Sequence, residues 1–102
     1  MGMYATVGEA EVKLSGLLAQ AAMEAMPGKY EEAMQDAVLS LSKADVEAVM
    51  FKLASIIDNK PLINNYSINM RDVDTQWFAL HKLSSLMDWL STAGPDEDLV
   101  FI

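Results

Sequence analysis

A chain of 102 residues with fifteen acids, seven Lys or Arg and a net charge of −8 lacks the basic face that nucleic acid requires, so no direct binding to DNA or RNA is expected. The absence of cysteine removes disulfides, zinc–thiolate sites and thiol catalysis, and it suits a reducing compartment. At 52% hydrophobic residues the chain has material for one folded domain spanning 1–102, while no run reaches the ~18 uninterrupted apolar residues of a membrane span.

The start, MGMYAT, fits a myristoylation pattern at Gly2 and Thr6, although Met-Gly before a second Met also reads as a cloning remnant. No basic segment precedes an apolar core, so no secretory signal is read and a cytoplasmic location is expected. Thr6-x-x-Glu9 has the form of a capping box, which predicts a first helix over about 7–26, stopped by Pro27-Gly28. A second helix over about 30–41 carries Tyr30, Ala33, Met34, Ala37, Val38 and Leu41 at spacings of three and four. A third, about 43–58, starts behind Ser42 with Asp45 in its first turn.

The stretch NKPLINNYSINMR has no helical period and reads as one long connection, with an extended segment at Leu62 and Ile63. Its Asn65-Tyr66-Ser67 is a glycosylation acceptor only in a secreted chain. A fourth helix over about 73–93 takes Asp72 or Asp74 as N-cap and ends at Gly94-Pro95. DEDLVFI then follows as an acidic turn and an apolar tail. With no alternation long enough for a sheet, the expected fold is all-α: a small four-helix bundle with one long loop before the last helix and an apolar C-terminal tail.

Three of these helices carry more apolar surface than one core uses. In the first, Val7, Ala10, Leu14, Leu17, Leu18, Ala21 and Ala25 form the main stripe, and Val12, Gly16, Ala19, Met23 and Met26 form a second one opposite. Phe51 stands behind the main face of the third helix, and Trp77, Phe78 and Trp89 stand outside the core arc of the fourth. Such surplus is covered either by the chain's own loop and tail or by another protein, a C₂ homodimer being the commonest solution. Val12, Gly16, Ala19, Met23, Met26, Phe51, Trp77, Phe78 and Trp89 are therefore the candidate contact residues.

The stretch YATVGEAEVKLSGLL resembles the opening of prevent-host-death type antitoxins, where a short strand leads into a helix bearing a Leu-Ser pair. Val7, Glu9, Ala10, Leu14, Ser15, Leu17 and Leu18 occupy the matching positions, over about fifteen of the 102 residues. That family continues with a glycine turn and a strand and carries basic residues for operator DNA. This chain continues without them, so no family is assigned.

Chemistry is sparse. The one histidine, His81, has Trp77, Phe78, Ser84 and Ser85 at the spacings where a helical metal partner belongs, so it reads as a solvated surface residue. There is no Gly-x-Ser-x-Gly elbow and no phosphate loop. Neither enzyme activity nor a cofactor or metal is expected. The leading expectation is a non-catalytic protein-interaction or regulatory module, a homodimer that binds another protein through apolar and aromatic helix faces. The alternative is an acidic inhibitor of the phage anti-restriction or anti-CRISPR type, in which Glu31, Glu32, Asp36, Asp45, Glu47, Asp96, Glu97 and Asp98 stand in for phosphates. A third reading, a cofactor or lipid pocket fenced by methionine and tryptophan, has weaker support, because eight methionines suit an ordinary core equally well.

Overall fold

Residues 4–13 form a β-hairpin where the start of a helix was expected. A computed structural model of the chain describes residues 3–59 and 70–102. The hairpin strands are β1 (Tyr4–Val7) and β2 (Ala10–Lys13), paired antiparallel around the two-residue turn Gly8-Glu9. Gly8 has φ +60°, and a glycine at the first turn position is what a type II′ hairpin needs. Gly16, also left-handed at φ +59°, lets the chain swing from β2 into the helix α1 (Gly16–Ala25).

The second departure is at the other end. Helix α2 (Pro27–Asp36) stops at Ala37, which adopts the left-handed conformation with φ 58° and ψ 31°. The chain then runs extended as β3 (Leu39–Leu41), where the second helix was expected to continue. Helices α3 (Lys43–Asn59) and α4 (Met70–Thr92) follow, and the apolar tail becomes β4 (Leu99–Phe101), antiparallel to β3 with Leu39 opposite Phe101. The all-α bundle is thus replaced by four helices with two two-stranded antiparallel sheets. The two sheets meet at one reciprocal backbone pair: Tyr4 N–H donates to the Ile102 carbonyl at 2.8 Å, and Ile102 N–H donates to the Tyr4 carbonyl at 2.9 Å.

Strand alternation builds the floor of the core. Met3, Ala5, Val12 and Leu14 from the hairpin and its flanks, and Leu39, Leu41, Leu99 and Phe101 from the β3–β4 pair, are all buried. Tyr4, Thr6, Glu11, Lys13, Val100 and Ile102 face outward. The helices lie over the inner face: α1 buries Leu17, Leu18, Ala21 and Ala22 and packs chiefly against α3, which contributes Val46, Val49 and Leu53. Burying each large apolar side chain stabilises the fold by about 1.5–3 kcal/mol.

Pro27 does not merely stop a helix. It opens α2 at a first-turn position, where its missing N–H costs nothing, and Met26 is both the last cap of α1 and the first of α2. Helix α3 opens on a reciprocal cap in which Ser42 N–H donates to Asp45 Oδ2 at 3.1 Å and Asp45 N–H donates to Ser42 Oγ at 3.2 Å. Asp72 and Asp74 lie inside α4 rather than ahead of it. The long connection with Leu62, Ile63 and Asn65 falls outside the described residues. Among the described residues no helix is long and apolar enough to cross a membrane.

Ala37 holds a conformation that costs an L-residue about 1–2 kcal/mol and a glycine almost nothing. Ala37→Gly is therefore expected to stabilise the protein by about 1 kcal/mol, after allowance for the looser unfolded chain. The measurement is the urea midpoint at unchanged slope; a lower midpoint would show that the left-handed turn carries no strain.

Candidate functional site

The antiparallel register decides which backbone groups of β2 are free. Leu14 N–H donates to the Met3 carbonyl at 2.8 Å, so the hydrogen-bonded pairs of the hairpin are Met3 with Leu14, Ala5 with Val12 and Val7 with Ala10. Tyr4 and Thr6 on β1, and Glu11 and Lys13 on β2, then direct their N–H and C=O groups away from the hairpin. Tyr4 spends both of its groups on Ile102. On the other side Ser15 N–H donates to the Lys13 carbonyl at 3.0 Å. Among the described residues nothing takes up the Glu11 groups or the Lys13 N–H. Among the described residues β2 is an edge strand.

That edge borders an open groove of about 580 Å³ against α4. All four residues of β2 line it, together with Ser15, Gly16 and Leu17. Consecutive strand residues point to opposite faces, so only the strand's edge presents all four to one cavity. The far wall is Phe78, Ala79, His81, Lys82 and Ser85 of α4. Phe78 is 63% exposed, and its neighbour Trp77, 60% exposed, meets the His81 ring at 6.0 Å between centroids.

Lys82 ties the two walls together. Its Nζ donates to the Ser15 carbonyl at 3.1 Å and to Ser15 Oγ at 3.0 Å. Burial, and then the charge of Lys13, hold the Lys82 ammonium below its usual pKa. A serine touching a lysine invites comparison with a nucleophile and its base. Here the amine also donates to the backbone carbonyl, which fixes it against the residue that precedes α1. Lys13 in turn lies over the Tyr4 ring, 5.7 Å from its centroid. The groove is thus locally cationic at Lys13 and Lys82, with the carboxylate of Glu11 beside them, in a chain of net charge −8. Among the described residues no group of three or more His, Asp or Glu converges to hold a metal.

The candidate contact residues separate into distinct places. Gly16 and Phe78 line the groove, with Val12 contributing from β2. The Val12 side chain is buried on the inner face of the sheet, and Trp89 is buried in the core at 7% exposure. Ala19 and Met26 are half-buried against that core. Met23 at 47% and Phe51 at 81% are exposed outside the groove. The supposed second stripe of one helix is in fact a strand residue, a hinge glycine and a helix flank.

Of the acidic residues, Glu31, Glu32, Asp36, Glu47, Asp96, Glu97 and Asp98 are exposed, and Asp45 is half-buried. Three of these eight accept hydrogen bonds. Asp45 accepts from Lys29 Nζ at 2.7 Å besides capping α3, and the Lys29 bond is the main reason its carboxyl lies below the ordinary range. Glu97 accepts from Gly94 N–H at 3.3 Å and Asp98 from Ser40 Oγ at 3.3 Å.

Sequence reasoning missed Glu11, Lys13, Ser15 and Lys82. The signal for the first two was present: Gly8-Glu9 between short alternating stretches is a hairpin pattern. Nothing local joins Ser15 to Lys82. The chain matches no protein-family model, no curated protein and no solved structure.

Proposed function

We propose that the chain is a non-catalytic protein-interaction module that receives an extended polypeptide segment along β2, in the groove facing α4. The observation that carries this reading is the free β2 edge, with the outward groups of Glu11 and Lys13 lying across a groove from the exposed ring of Phe78. An unpaired edge is a template for another strand, whose main chain supplies affinity while neighbouring pockets select side chains. Phe78 and Trp77 are the aromatic kind of residue that dominates contact energies. The Ser15–Lys82 bonds keep the groove's walls at fixed spacing, so little ordering is required on binding.

The test is selection from a displayed library of linear peptides against sparsely immobilised chain. Peptides should be enriched that bind at least about tenfold more weakly to Phe78→Asp, the loss expected from a central aromatic contact. Failure to enrich any peptide, or enriched peptides indifferent to Phe78→Asp, would refute the reading.

A further inference from the structure

We propose that the partner seated on the β2 edge is a second copy of this chain, its β2 running antiparallel to the first about a two-fold axis at Val12. This rests on reading the β2–α4 groove as a protein-contact surface, and it names the occupant.

The register follows from backbone phase and charge. Only residues whose N–H and C=O face outward can bond across the axis, and on β2 these are Glu11 and Lys13. A two-fold axis at Glu11 sets carboxylate against carboxylate, and one at Lys13 sets ammonium against ammonium. Like charges directly opposite on paired strands are destabilising. An axis at Val12 places Glu11 of each copy opposite Lys13 of the other, giving two reciprocal backbone pairs and two opposite-charge pairs on one face. The Lys13 carbonyl already accepts from Ser15 N–H, yet its oxygen has a second lone pair for the bond across the axis.

The same register answers an imbalance within one copy. Lys82 is partly buried and feels the charge of Lys13. Pairing about Val12 brings Glu11 of the second copy against Lys13. An acidic chain with one cationic groove is complementary to its own hairpin. Phe78 of each copy lies exposed on the groove wall that faces this edge.

The experiment is sedimentation equilibrium on the wild type, Glu11→Lys, Lys13→Glu and the double exchange Glu11→Lys/Lys13→Glu. Both positions are exposed, so circular dichroism should show an unchanged fold in all four proteins. The wild type should have twice the 11.2 kDa chain mass. Each single variant, with like charges facing twice per dimer, should dissociate about tenfold or more readily. The double exchange should return to within about threefold of wild type, because each lysine again faces a glutamate. A wild type that stays at 11.2 kDa overturns the proposal, as does a double exchange no tighter than the single variants. If that monomer still binds the selected peptides, the groove is a contact surface for a different chain. If it binds none, the functional reading fails with it.

Discussion

Phe101→Ala should cost about 3–5 kcal/mol and bring the protein close to its unfolding threshold at room temperature. The residue is the last of the short strand β4. Here the ring is only 1% exposed, among the largest fully buried side chains, and it pairs through the backbone with Leu39 on β3. Truncation removes the transfer free energy of the ring and leaves a cavity in the core beneath the β3–β4 pair. The loss reads as a fall in the urea midpoint at constant slope. Ile102→Ala, at a side chain 69% exposed, is the control and should change stability by no more than about 0.5 kcal/mol. Equal, small effects at both positions would show that the tail is not part of the core.

The second large effect concerns the phase of α1. Ala22 is fully buried, in the core that also holds Val46, Val49 and Leu53 of α3, whereas the adjacent Met23 is about half exposed. Ala22→Glu forces an unpaired carboxylate among apolar side chains, with no partner there to receive it. A penalty of about 4 kcal/mol or more is expected, by charge burial and overpacking together. Met23→Glu, one residue along, should stay within about 0.5 kcal/mol of wild type. Thermal unfolding followed by circular dichroism distinguishes them: no cooperative transition for the first, a near-native one for the second. The reverse order would rotate α1 by about one residue.

The hairpin that the first helix was mistaken for shows where local reading ends. A two-residue turn places Val7 opposite Ala10, so the apolar residues flanking it are three apart, the same interval as one helical turn. Ala10 to Leu14 and Leu14 to Leu17 or Leu18 then continue the count as if a helix were already running. Thr6-x-x-Glu9 imitates a cap for the same reason. Strands of four residues give too few alternations to outvote that coincidence. A signal such as Ser42-x-x-Asp45 is legible because both of its hydrogen bonds close within one turn.

β3 and β4 are illegible for a different reason. Each has three residues, and the groups that pair are distant in sequence, as Ser40 and Asp98 illustrate at a separation of 58 positions. The groove has the same character: Ser15 and Lys82 are separated by 67 positions. Exposed Phe78 could be read from a helical wheel, but the edge it faces exists only once residues 10–13 are a strand.

The reciprocal bonds between Tyr4 and Ile102 make the chain nearly a closed ring, entering and leaving the fold side by side. Strands paired in this way lie about 5 Å apart, less than the reach of two residues. A force applied between these two residues would therefore load both hydrogen bonds of the pair at once, like a shear on one rung of a ladder.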